Sequence, residues 1–209
     1  MRARVQKNPQ RLAAGCDRTR AINKHPTWSA EKIMNAPVGS VTEIAPRLHR
    51  NSVAMPSELI PGGFSFNQYL LLDEKPLLFH TGPRKLFPLV SEQIEKVMPL
   101  EQLRYIAFSH VEADECGALP SFLAAAPHAC PVCSDIAAMV SMNDLVDVEP
   151  IGMADGQVLE TGRHRLTWQT TPHLPHGWEC GYLFERNVAH AILRRLVHSA
   201  RHWREGTGA

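Results

Sequence analysis

Apolar and polar positions along this chain change rhythm several times, and each change marks an element. Residues 1–38 are basic and polar without a period, which predicts an extension outside the folded domain, set at 39–186. From Val41 the segment "VTEIAPRLHRN" reads as strand. "PGGFSFNQYLLLDEKPLLFHTGP" reads as two strands, from Phe66 to Leu72 and from Pro76 to Phe79, turned by "DEK". In "LFPLVSEQIEKVM", Leu89, Val90, Ile94 and Val97 recur at helical spacing, with Ser91 as a candidate cap. "LRYIAFSH" is a short buried strand, "DECGALPSFLAAAP" a helix halted near Pro127, and "ACPVCS" another strand. "DIAAMVSMNDLV" predicts a further helix, and "QVLETGRHRLTWQTTP" a hairpin turning at Thr161 and Gly162. Strands alternating with helices predict a layered α/β or α+β domain.

Composition narrows the function classes. The chain has 209 residues, enough for one domain with a real core, and 44% apolar with 21% charged residues is ordinary for a globular protein. A formal net charge of +1 gives no field that would attract nucleic acid or an acidic membrane surface. No apolar run reaches the ~18 residues of a spanning helix. The basic N-terminus lacks the apolar middle of a signal peptide. Five cysteines without framework spacing fit a reducing compartment, so the cytoplasm is the expected location.

Candidate chemistry gathers where "LRYIAF" ends. "FSHVEADECGALPSFL" presents His110, Glu112, Asp114, Glu115 and Cys116 within seven positions. His110, Glu112 and Asp114 alternate, so an extended segment would put them on one side. An imidazole with carboxylates is a ligand set for iron, manganese or zinc. The competing reading is a solvated helix N-terminus, where acids meet the helix dipole favourably. A second patch, "TTPHLPHGWECG", offers His173 and His176 after a strand, with Glu179 beyond. By itself it is also compatible with a proline-rich surface loop. Cys130 and Cys133 have half of a metal or redox spacing, with no second pair to complete it. Cys116 reads as a small buried residue beside the ligand loop, and Trp168 and Trp178 as packing residues near the pocket.

The ordered set "HTGP", "SHVEADE", "TPHLPH" resembles the metallo-β-lactamase superfamily, and within it the flavodiiron branch, whose motif reads His-x-Glu-x-Asp. The resemblance runs from about Val41 to Glu185. It implies an αββα sandwich, incomplete in its C-terminal half, and a site in which His110, Glu112 and His176 hold one metal and Asp114 the other. Asp114 would also orient a bound water in a hydrolytic member. The family's third imidazole comes from a His-x-x-acid segment, a form that His176-Gly177-Trp178-Glu179 has; His173 competes for that role. The usual Asp of Asp-Thr-Gly is His80 here, and the usual His after Asp114 is Glu115, which would shift the second site toward oxygen ligation or leave it weaker or empty. The family also implies iron over zinc or manganese, dioxygen as ligand or substrate, and an electron-donor protein as partner. A metal-dependent hydrolase acting on a small molecule, or a vestigial non-catalytic or sensory module, are the other expectations. No flavodoxin-like segment follows, so no FMN site is expected.

The ending departs from the family. After Glu185 the chain contains no Asp, so a bridging Gly-Asp-x-Phe carboxylate is missing from its usual place, and so is the last His. "NVAHAILRRLVHSARHW" reads instead as a basic amphipathic helix over Ile192, Leu193, Leu196 and Val197, in an aberrant tail set at 187–209. Read one base later, with permitted codons, the tail yields a Gly-Asp-Leu-Phe string, which predicts a frameshift near Arg186. Sequencing the coding DNA through that point decides the matter. Lost strands would expose sheet edges and apolar faces, so an unstable, impaired or self-associating product is expected.

Overall fold

The computed structural model describes residues 37–56 and 63–185, and two sheets organise them. The larger, seven-stranded sheet has its strands in chain order: β1 (Val38–Ala45), β2 (Leu48–Met55), β3 (Phe64–Leu71), β4 (Leu77–Phe79), β5 (Tyr105–Ala107), β6 (Cys130–Ser134) and β7 (Ile151–Met153). β1 to β4 pair antiparallel, whereas β4 to β7 pair parallel. The smaller sheet runs β10 (Gly181–Glu185), β9 (Arg165–Thr170), β8 (Val158–Glu160), all antiparallel.

Side-chain alternation assigns the two faces of the large sheet. Leu70 and Leu78 face the helices, packing with Val90 and Ile94 of α1 (Phe87–Glu95) and Leu119 and Phe122 of α3 (Leu119–Ala125). Their neighbours Tyr69, Leu71, Leu77 and Phe79 face the small sheet and pack with Leu159, Leu166, Trp168 and Leu183. One helical layer and two sheets therefore stack on one another, the described part of a metallo-β-lactamase-like sandwich.

The hairpin at Thr161 and Gly162 forms as expected, with Glu160 opposite Arg165 and Gly162 at φ 128°. Four elements differ from expectation. The stretch from Val41 folds back as the β1–β2 hairpin, because Pro46 interrupts the ladder and Arg47 takes a left-handed turn at φ 64°. α1 begins at Phe87, with Pro88 in its first turn, where a missing N–H costs nothing. Ser91 is thus inside the helix, its hydroxyl donating to the Pro88 carbonyl, and caps nothing. The helix expected from Asp114 to Pro127 breaks into α2 (Ala113–Cys116) and α3, since Pro120 must open a new first turn. The helix after β6 changes pitch, with α4 (Asp135–Ala137), a π-helical turn (Ala138–Met142) and α5 (Asn143–Leu145) in succession. β7 and β10 carried no separate strand signal, being short apolar runs between turns.

The 1–38 extension, save its last two residues, and the amphipathic helix over Ile192 to Val197 lie outside the described residues. No helix among the described residues is long and apolar enough to cross a membrane.

Gly181 opens β10 where only hydrogen fits. A Cβ there would come within 2.5 Å of two ring carbons of the fully buried Trp168. Gly181→Ala is expected to cost at least about 1–3 kcal/mol through overpacking, read as a lower melting temperature. An unchanged melting curve would show that the indole has room to move.

Candidate metal centre

The parallel half of the large sheet directs its strand ends to one edge, where an α/β sheet collects functional groups. His80 directly follows β4, and Phe108, Ser109 and His110 follow β5. The loop between β9 and β10 joins them, because the Gly181 N–H donates to the Ser109 carbonyl at 2.9 Å. Within that loop the His173 and Cys180 amides both donate to the Gly177 carbonyl, closing a compact turn. Gly177 sits at φ 82°, and a Cβ on it would lie 3.7 Å from His110 Cε1. A left-handed glycine therefore lets the second loop lie against the first imidazole.

Three donors converge there. Glu112 Oε1 is 3.4 Å from His110 Nε2 and 3.3 Å from His176 Nε2, and the ligand atoms of all three lie within 4.8 Å of one another. The two imidazole rings meet edge to face, with centroids 5.1 Å apart. Metal bonds of about 2.1 Å meeting at roughly 90–110° place donor atoms about 3.0–3.4 Å apart, and the distances from Glu112 to both imidazoles match that range. The group is graded in exposure. His110 is nearly enclosed, with 12% of its side chain exposed, whereas Glu112 shows 50% and His176 77%. One side of the group is open to solvent.

The other sequence candidates lie around this group. Asp114 and Glu115 both sit in the first turn of α2, outside the three converging donors among the described residues. Glu115 turns inward: the Ser109 hydroxyl donates to its Oε2 at 2.7 Å, and His80 Nε2 lies 2.9 Å from that same hydroxyl oxygen. Burial pushes the Glu115 carboxyl above its usual range, with the charges of Asp114 and Glu112 adding to the effect, while Ser109 and His110 oppose it. His80 occupies a left-handed backbone conformation, φ 65°, uncommon for a residue other than glycine, and its amide continues the sheet to the Ala107 carbonyl. Thr81 completes this layer, its hydroxyl accepting from the Ala118 amide. His173 is exposed on the same loop as His176 but outside the trio.

Glu179 has a role that its sequence position did not reveal. Its Oε1 contacts His110 Nδ1 and accepts from the Val111 amide at 3.3 Å. Burial raises the carboxyl's pKa, but hydrogen bonds from its own amide and that of Val111, with the charge of His110, hold it below the usual range. The only sequence signal was its spacing, three residues after His176.

The four cysteines among the described residues are thiols. Cys116 is buried beside the ligand loop, its sulfhydryl donating to the Glu112 carbonyl, and burial pushes its pKa up to about 12. Cys133 is likewise buried and pushed up to about 12, while Cys130 is partly buried at the start of β6. Burial disfavours the reactive thiolate at both positions. Trp168 is core, whereas Trp178 is 52% exposed, on the rim rather than packed within it.

The chain is similar to known proteins in sequence and in fold. Residues 64–178 match the family model described as "ODP family beta lactamase". A putative diflavin flavoprotein A 2 of Synechocystis sp. is 29% identical over 115 residues, covering 54% of this chain and 20% of that protein. The metal-soaked Flv1 flavodiiron core of Synechocystis sp. PCC6803 superposes with a TM-score of 0.64 at 25% identity, over 72% of this chain and 40% of that one. Rubredoxin oxygen:oxidoreductase from Desulfovibrio gigas superposes with a TM-score of 0.61 at 24% identity, over 70% and 38% of the two chains. This chain thus spans a fifth of the curated relative and about two fifths of these structural neighbours.

Proposed function

Since this chain belongs to the ODP family of beta-lactamases, and through it to the metallo-β-lactamase superfamily, we propose that it is a non-haem iron protein that binds or reduces dioxygen. His110, Glu112 and His176 would hold one iron, and Asp114 would serve a second. The convergence of two imidazoles and a carboxylate at metal-ligand spacing carries this reading. Iron comes from the flavodiiron relatives, one of which is named for a flavodiiron core. Dioxygen is in the name of a second neighbour, whose likeness to this chain is one of fold.

The chain's own residues have definable tasks. Glu112 supplies the negative charge among the three donors, offsetting that of a cation. Enclosure of His110 keeps one imidazole fixed, while the exposed side at Glu112 and His176 admits a small molecule. Ser109, His80 and Glu115 form the buried floor beneath. Iron bound there would supply one-electron redox chemistry and open coordination positions for a small ligand. Electrons would come from a partner protein.

Metal analysis of the purified chain, with optical spectra before and after air, tests this reading. Iron with a near-ultraviolet charge-transfer band is the expected result. Colourless zinc would move the chain to the hydrolases, and no metal at any loading would overturn the proposal.

A further inference from the structure

Two carboxylates flank the ring of His110, one at each nitrogen. Glu112 lies 3.4 Å from Nε2 and is half exposed. Glu179 contacts Nδ1, and its side chain and that of His110 are only 11% and 12% exposed. A neutral imidazole carries one proton, and a buried carboxylate that accepts from one nitrogen determines which nitrogen carries it. We propose that Glu179 is a positioning residue: it holds His110 as the Nδ1–H tautomer and turns the Nε2 lone pair toward Glu112 and His176. This rests on the reading of His110 as a metal ligand.

The loop geometry adds a consequence. Glu179 stands three residues beyond His176, on the turn closed at Gly177. The segment that delivers one imidazole therefore also orients the other. Because the Val111 amide donates to the same Oε1, both the ring and the backbone after it are held by one carboxylate. Partners of this kind raise ligand basicity and prepay the ordering of the ring, and their loss typically lowers metal affinity about 10–100-fold.

Cobalt(II), titrated into the metal-free full-length chain and followed by visible absorption, tests the proposal alongside nitrogen NMR of the His110 ring. Glu179→Ala is expected to weaken cobalt binding by about 10–100-fold and to move the proton from Nδ1 toward Nε2. Glu179→Gln keeps an oxygen that accepts from Nδ1–H, so its loss should stay under about tenfold, with the tautomer retained. The proposal is overturned if Glu179→Ala binds within about twofold of the unaltered chain with its tautomer unchanged. It is also overturned if Ala and Gln lose equally, in step with equal drops in metal-free melting temperature, since that marks a purely structural role. Should the unaltered chain take up no cobalt, the reading as a metal protein fails, and the metal-free tautomer comparison still decides the role of Glu179.

Discussion

Glu112→Ala is expected to reduce iron binding beyond the roughly 10–100-fold that outer partners produce, while leaving the metal-free fold intact. The carboxylate stands between the two imidazoles, 3.4 Å from one and 3.3 Å from the other, and is the sole anion of the trio. Without it, two neutral rings remain, and nothing among the three offsets a cation's charge. The metal-free protein should barely change, because half of this side chain is exposed and such sites usually shift stability by no more than about 0.5 kcal/mol. Anaerobic iron(II) equilibrium dialysis reads the first effect and thermal melting the second. Equal iron content in the variant and the unaltered chain would remove Glu112 from the ligand set.

Asp73→Asn should be the most destabilising polar substitution away from the centre. Asp73 lies between β3 and β4 with its side chain fully buried, and it accepts from Thr161 Oγ1 at 2.7 Å, His164 Nδ1 at 2.8 Å and the amides of Glu74, Arg163 and His164. It thereby ties the β3–β4 turn of the large sheet to the β8–β9 turn of the small one. An amide nitrogen in place of Oδ2 would face the donors of Thr161 and His164. Breaking a buried charged network from one side costs about 3–5 kcal/mol. At about 2–4 °C per kcal/mol, the melting temperature should fall by roughly 6–20 °C.

The pH dependence has a definite sign. Burial opposes ionisation of Asp73, but the hydrogen bonds from Thr161, Arg163, His164 and Glu74 outweigh it and depress its pKa. Its contribution is therefore present above the ordinary value of 3.8 and is lost as pH falls through the depressed one. Glu185 opposes it: burial, with the charge of Asp73, raises its pKa, while His164 counters. The Glu185 contribution is present below 4.5 and fades as pH rises through the raised value. The gap between the unaltered chain and Asp73→Asn should thus be widest at neutral pH and narrow below about pH 4. A gap independent of pH would mean that the carboxylate's charge contributes nothing.

Much of this architecture was legible before any coordinates, because periodicity reports burial directly. The helical spacing of Leu89, Val90, Ile94 and Val97 states which face of that helix is covered, and the apolar run "YLLL" marks a strand end buried on both faces. Boundaries were less legible wherever proline redirected the backbone, as at Pro46, Pro88 and Pro120. β7 and β10 stayed hidden because each is a short run with a glycine in it, Gly152 and Gly181, and pairing alone defines them.

The centre divides along the same line. Sequence alone determined the types of donor, His110, Glu112 and one of two later histidines, since residue chemistry and order need no coordinates. Only the tertiary structure decided among neighbours: His176 rather than His173 joins the trio, Glu115 turns to Ser109, and Glu179 reaches His110. The reason is distance along the chain. Residues 110 and 179 are 69 positions apart, and the packing of one sheet on the other brings them into contact. No local pattern encodes that approach.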